Sequence, residues 1–304
     1  IVAKVEALLE RVNAARARLA KVPAILKRFR QSVLAAACSG QLTADWRERH
    51  PESDVLAESR YRPTLESVCT GFQYGTSSKS QIEGEVPVLR MGNIQDGRID
   101  WSDLVFTSSD EEIAKYALDP GTVLFNRTNS PELVGKTAIY RGERPAIFAG
   151  YLIRILHGDR LNPEYLNYCL NAPEFREYCS QVKTDGVSQS NINAKKLAAY
   201  ELAYCHPTEQ EEVVRRVEAL FALADEIEAR VQAATTRVEK ITQAILAQAF
   251  RGELVPTEAE LARAENRPYE PATVLLARIR TERTKDEPSS REPRRRTRQP
   301  GKGR

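Results

Sequence analysis

The chain has 304 residues, 41% hydrophobic and 29% charged, with 45 Lys and Arg against 42 Asp and Glu for a formal net charge of +3. These values are ordinary for one or two globular domains and exclude a wholly disordered chain; no apolar run approaches the roughly 18 residues of a spanning helix, so no membrane contact is expected. Cys38, Cys69, Cys169, Cys179 and Cys205 form no C-x-x-C, and His50, His157 and His206 have no metal-ligand spacing, so reduced, mostly structural thiols, no metal site and a cytoplasmic location are expected. The first residue is Ile1, inside what already reads as helix, so an upstream segment is expected.

In chain order, the first element is a long amphipathic helix that recurs. Shifted by about two hundred residues, Lys4 to Leu42 matches Arg216 to Leu254 without a gap at about a dozen identical positions. Val5, Leu8, Val12, Ala15, Leu19, Val22, Leu26, Phe29 and Val33 form a seam in steps of three and four. Val217, Leu220, Ala224, Ile227, Val231, Ala234, Val238, Ile241 and Ile245 repeat it. A period near 3.5 residues sustained over more than four heptads points to helices that wind on partners, with Val5, Leu8, Val12, Leu19, Val217, Leu220, Ile227, Val231, Val238 and Ile241 as pairing positions. Gly40 and Gly252 follow the last periodic residues, as left-handed caps do. Pro23 is expected to bend the first helix or loosen one turn.

Between the helices the pattern is that of an α+β domain. VPVLRM (86–91), GRIDW (97–101), TVLF (122–125), KTAIY (136–140) and AIFAGYLIRIL (146–156) read as strands, each bounded by turn residues. NPEYLNYCL and APEFREYCSQ, with Pro at a helix-opening position, read as short helices. The expected boundaries are a first helix over 1–45, a mixed domain over 46–206, a second helix over 207–256 and an extension over 257–304, weakly helical at 272–280 and ending in a disordered basic tail.

Two motifs tempt and fail. Ser130 to Thr137 is one residue from a phosphate loop, but Ser130 replaces the first glycine and Gly135-Lys136-Thr137 leads into a strand rather than opening a helix. NPEY at 162–165 resembles the Asn-Pro-Pro-aromatic loop of adenine methyltransferases, yet Glu164 and the lack of a glycine-rich loop after a strand favour a capped helix start. No nucleophile, base or carboxylate cluster is recognisable, so no catalytic residue is assigned. What remains is a set of polar loops: Tyr74, Ser77, Ser78 and Lys79; Arg90, Asn93 and Arg98; Asn126, Arg127, Asn129, Ser130 and Lys136; Ser188, Gln189 and Asn191. Arg, Asn and Gln read base edges while Lys, Ser and backbone amides take phosphates. Composition alone weighs this equally against solvated turns.

ACSGQLTADWR, AFRGELVP, PVLRMGNIQDGRIDWSDL, LFNRTNSPELVGKTA, GVSQSNINAKKL and PTEQEEVVRRVEAL together resemble the specificity subunits of type I restriction-modification enzymes, over nearly the whole chain to about Arg280. The resemblance implies a non-catalytic subunit in which a target-recognition domain reads one half of a split site in double-stranded DNA. It also implies antiparallel pairing of the repeated helices as a spacer, and docking of two methyltransferase subunits and, through the complex, restriction subunits. S-adenosylmethionine, ATP and Mg belong in that picture to the partners, with no cofactor on this chain. Arg90, Asn93, Asn126, Arg127 and Asn129 become base-reading candidates, and Lys79 and Lys136 phosphate contacts. Family members usually carry two recognition domains, whereas this chain reads helix, domain, helix; it is expected to be a C-terminal half, or a half-subunit that homodimerises on a symmetric site. The competing expectation is a stand-alone restriction nuclease or adenine methyltransferase.

Overall fold

The computed structural model describes residues 1–51 and 62–286; the expected disordered tail from 287 onward lies outside them. It divides into two compact units, one of Ile1–Leu19 with the chain from Ala234 onward, the other of Ala20–Ala233.

The first helix copy is two helices, α1 (Val2–Leu19) and α2 (Val22–Cys38), the second beginning with Pro23 in its opening turn. Proline supplies no amide hydrogen, so the ladder is interrupted at Ala20 and Lys21 and restarts where that donor is not needed. The equivalent position in the second copy is Thr235, and there the helix runs unbroken. Gly40 and Gly252 both adopt the left-handed conformation, at φ 74° and 76°, as their position after the periodic residues predicts.

The larger unit continues with α3 (Ala44–Arg49), α4 (Leu65–Val68), β1 (Cys69–Tyr74), β2 (Val86–Leu89), β3 (Ile94–Gln95), β4 (Arg98–Ile99), β5 (Val105–Thr107) and α5 (Asp110–Tyr116). Then come β6 (Thr122–Asn126), β7 (Thr128–Asn129), β8 (Thr137–Tyr140), β9 (Ile147–Phe148), β10 (Leu152–His157), α6 (Pro163–Cys169) and α7 (Pro173–Val182). β11 (Thr184–Asp185), β12 (Ser190–Asn191) and α8 (Ala194–Ala198) lead to α9 (Pro207–Arg251). An antiparallel sheet in the order β1-β10-β6-β8 forms the centre, flanked by β5-β2-β9, β11-β12-β7 and the β3-β4 hairpin. The expected single strand over 146–156 is two, because Ala149 to Tyr151 turn between β9, which joins β2, and β10, which joins the central sheet.

β6 is buried at every position because each face meets a separate core. Val123 and Phe125 pack with Ile153, Tyr165, Phe175 and the α2 and α9 residues Val33, Leu34, Val213 and Val217. Leu124, pointing the other way, packs with Leu89, Ile94, Tyr140 and Phe148. Each such side chain stabilises the fold by about 1.5–3 kcal/mol relative to exposure.

Within this unit α2 and the first half of α9 run antiparallel. Arg30 pairs with Asp225 at 2.6 Å and Glu228 at 2.9 Å, whereas further along α2 and the segment after it Arg216 reaches the Leu42 carbonyl at 2.7 Å and pairs with Asp45. The junction of α9 with the domain is polar and fully partnered. Buried Glu209 accepts from Thr43 Oγ1 at 2.6 Å and pairs with Arg47; buried Gln210 donates to the Cys205 and Arg160 carbonyls and accepts from the Asn162 amide at 2.7 Å. This gives the PTEQEE stretch a structural role, since buried polar groups are tolerated only when bonded.

In the smaller unit, Val5, Leu8, Val12, Ala15 and Leu19 of α1 and Ala234 and Val238 of α9 are half-buried, and Ile245 is buried. α10 (Glu258–Ala264) follows, closed by a capping box between Thr257 and Glu260, and then α11 (Ala272–Asp286). The chain is thus a mixed α/β core flanked by long repeated helices. No helix among the described residues is long and apolar enough to cross a membrane.

Candidate nucleic-acid interface

Antiparallel pairing brings four strand ends to one edge of the central sheet. Tyr74 pairs with Ile153, Leu152 with Asn126, and Phe125 with Thr137, so β1 and β6 finish where β10 and β8 begin. The chain therefore leaves this edge three times, through loops 75–85, 127–136 and 149–151. A fourth loop joins them: β7 pairs with β12 and β12 with β11, and the Ile192 amide donates to the Arg127 carbonyl at 2.9 Å. Polar stretches more than fifty residues apart in sequence become one surface.

Arg127 sits at its middle. Its guanidinium stacks 4.8 Å from the centroid of the Tyr74 ring, its Nη1 donates to the Gly150 carbonyl at 3.3 Å, and its amide donates to the Tyr151 carbonyl at 3.0 Å. Tyr74 Oη in turn accepts from the Ala194 amide at 3.0 Å. The side chain is thus aimed by a cation–π contact and a carbonyl, while its buried Nε has no partner among the described residues. Gly75 is required beside it, because a Cβ there would lie 2.2 Å from the Phe148 carbonyl oxygen. Around Arg127 lie Tyr74 and Tyr151, 41% and 47% exposed, with Thr128, Asn129 and Ser130 half-buried. Asn191 Nδ2 donates to Thr128 Oγ1 at 2.7 Å, and Ser188 and Gln189 are exposed in the turn that closes β11 and β12.

The other candidate residues are placed differently. Ser77, Ser78 and Lys79 are exposed on a loop anchored by Glu112: the Ser78 and Thr76 hydroxyls hold that carboxyl below its usual range, and the Ser78 amide donates to Thr76 Oγ1 at 3.0 Å. Asn93 is only 2% exposed and its amide is fully used, Oδ1 accepting from the Arg90 amide at 2.8 Å and Nδ2 donating to the Asp100 and Asp103 carbonyls. It shapes a turn and is not free to read a base. Asn126 is wholly buried, and neither polar atom of its side chain has a partner among the described residues; its burial likewise removes it from the surface. Arg90 pairs with Asp103 at 3.1 Å. Arg98 turns toward α9, where it meets Asp225 at 3.3 Å, so it does not join the sheet-edge group. Lys136 Nζ donates to Gln95 Oε1 at 2.7 Å, and burial lowers its pKa.

Ser130 to Val134 form a turn, with the Leu133 and Val134 amides on the Ser130 carbonyl, and Thr137 opens β8; there is no phosphate loop. Asn162 caps α6, accepting from the Glu164 and Tyr165 amides. Cys38 Sγ donates to Cys169 Sγ at 3.3 Å with no disulfide between them, and burial pushes the Cys69, Cys179 and Cys205 thiols up to about 12, which disfavours their thiolates at neutral pH. Among the described residues no group of three or more His, Cys, Asp and Glu is placed to hold a metal.

Of the helix-pairing positions, Val217 is buried and Leu220, Val231 and Val238 are half-buried, but Ile227 and Ile241 are 36% and 43% exposed. Tyr151 was not singled out as a reader by sequence. Ala149-Gly150 inside an apolar run is the signal that a turn, and so an exposed Tyr151, lies there.

An α+β domain held between long helices, with four polar loops gathered at one end of its central sheet, is the class that this fold and surface define. The chain closely resembles the specificity subunits of type I restriction-modification enzymes. It is 35% identical over 292 residues to the type I restriction enzyme EcoKI specificity subunit of Escherichia coli strain K12, and 35% identical over the same length to the StySPI specificity subunit of Salmonella potsdam. Each match takes in 93% of this chain and 61% of the relative, so the chain spans about three-fifths of their length. A solved chain from a structure of complex assembly and conformational transition in the type I R-M system shares the fold, with a TM-score of 0.61, 22% identity and coverage of 83% of this chain and 58% of that one. No protein-family model matches.

Proposed function

We propose that this chain is a non-catalytic, sequence-specific DNA-recognition component of a type I restriction-modification complex. Residues 46–206 form the domain that reads one half of a bipartite site. The helices over 1–45 and 207–256 act as a spacer on which methyltransferase subunits dock, and through them restriction subunits, with S-adenosylmethionine, ATP and Mg carried by those partners in the cytoplasm. The observation that carries this reading is the convergence of four polar loops around the Tyr74–Arg127 stack. Arginine presented on a rigid sheet edge suits bidentate recognition of guanine, and the neighbouring Asn129, Asn191 and Gln189 suit adenine or phosphate. α9, with 45 residues, is about 68 Å long, enough to hold two readers roughly two duplex turns apart.

The test is binding of the full chain to its recognised duplex and to random DNA across several salt concentrations. Arg127→Ala is expected to lose about 1–3 kcal/mol on the recognised sequence alone. Equal weakening on both DNAs would show that Arg127 contacts backbone, not bases.

A further inference from the structure

A second group of basic side chains gathers where α2, α6, α7 and α9 meet. A cleft of about 370 Å³ opens between α2, the β3-β4 turn, α6, α7 and the first half of α9. Five cations border it, and three are matched: Arg30 by Asp225 and Glu228, Arg98 by Asp225 at 3.3 Å, and Arg141 by Glu164 at 2.7 Å. Lys27 of α2 and Arg176 of α7 form no ion pair among the described residues. Lys136 stands near them: its Nζ is bonded to Gln95, burial lowers its pKa first, Asp96 opposes that, and the charges of Arg176 and Lys27 add to the lowering. Three carboxylates line the cleft against its five cations: Asp225 and Glu228 are taken up by Arg30 and Arg98, and Asp96, held at φ 47° in the hairpin turn, acts on Lys136. The inner wall is polar and ordered, with Asn167 Nδ2 donating to the Gly97 carbonyl at 3.0 Å and Asn171 Nδ2 to Thr137 Oγ1 at 2.8 Å. Tyr168 and Phe221, edge to face at 6.0 Å, close the other wall.

Like charges collected around a concave surface raise the energy of the empty protein and are relieved when an anion enters. We propose that this cleft is a phosphate-binding site, with Lys27 and Arg176 gripping the oxygens and Lys136 adding positive charge at the rim. The phosphate belongs either to the backbone of a duplex or to a phosphate-bearing small molecule. The site stands independently of the DNA-reading edge around Arg127.

The test titrates the full chain with inorganic pyrophosphate by calorimetry at constant ionic strength, alongside duplex binding at several salt concentrations. The expected result is one saturable pyrophosphate site, weakened at least tenfold in the Lys27→Ala, Arg176→Ala double variant and partly restored when the pair is Lys27→Arg, Arg176→Lys. Among the described residues neither side chain forms an ion pair, so thermal melting of the double variant is expected to match the parent. If the duplex competes with pyrophosphate and the double variant flattens the salt slope by about one to two, the backbone is the source; if both bind at once, a free phosphate-bearing molecule is. Either result upholds the site. Pyrophosphate binding that the double variant leaves intact, or no pyrophosphate binding together with an unchanged salt slope, overturns it. Failure of the Arg127→Ala test with pyrophosphate binding intact would instead remove the DNA-reading account and leave the cleft standing.

Discussion

Two polar loops, each opening on Arg and carrying Asn, spend their side chains differently. In Arg90–Arg98 the polar side chains bind their own surroundings: Asn93 holds three backbone groups, Arg90 meets Asp103, and Arg98 meets Asp225. In Arg127–Ser130 neighbouring strands take more of the backbone, through the Tyr151 carbonyl and the Ile192 amide, and the side chains are only partly committed: Asn129 Oδ1 accepts from the Ser130 amide at 2.8 Å and Arg127 Nη1 donates to the Gly150 carbonyl. Whether a polar loop reads something depends on who pairs its backbone.

The difference can be broken at several points. A charge at the α9 seam should have the largest effect: Val217→Asp puts an unpaired carboxylate in a fully buried position and is expected to cost about 3–5 kcal/mol. Ile227→Asp, at an exposed edge, should cost under about 1 kcal/mol, and urea denaturation of both variants reads the contrast. Next, Asn93→Ala should lower stability by about 2–4 kcal/mol, because it strands three backbone groups, while leaving base preference unchanged in the folded fraction. Arg127→Ala should do the reverse, with a melting curve close to the parent and base preference reduced. Asn126→Val removes two buried atoms that have no partner among the described residues, with a small change in volume and a side chain suited to a strand, so stability is expected to hold or rise by up to about 1 kcal/mol; a loss above about 2 kcal/mol would reveal a hidden partner.

The smallest effect is electrostatic. Arg215 first, and then Arg216, hold the half-buried Glu212 carboxyl down at about 2. A depressed carboxylate stabilises the fold above its unfolded pKa and ceases to do so as pH falls through the folded value. The Glu212→Gln variant should therefore match the parent in the slope of stability against pH above about pH 5 and show a flatter decline between about pH 4.5 and pH 2, read from denaturant midpoints.

The helix repeat was legible in sequence because one face must stay apolar at a fixed period, and the two cap glycines because few other residues tolerate a left-handed φ. Pro23 likewise marked the break between α1 and α2, for want of an amide hydrogen. The interface was legible only in part. β7, β11 and β12 are two residues each, too short to leave an alternating pattern, and their pairing joins segments that sequence treats as separate loops. The burial of Asn126 followed from the β6 position where both faces are covered, which composition does not report. Tyr151 lay hidden in a run read as a single strand.

The central claim is that this chain reads DNA bases from the sheet edge around Arg127 while companion subunits supply the chemistry. Coexpression with a type I methyltransferase subunit from the same source, followed by mapping of methylated adenines, tests it most directly. The account predicts methylation at one defined sequence with the parent chain, and relaxed or absent sequence preference with Arg127→Ala. Methylation at the same sequence when this chain is left out would contradict it.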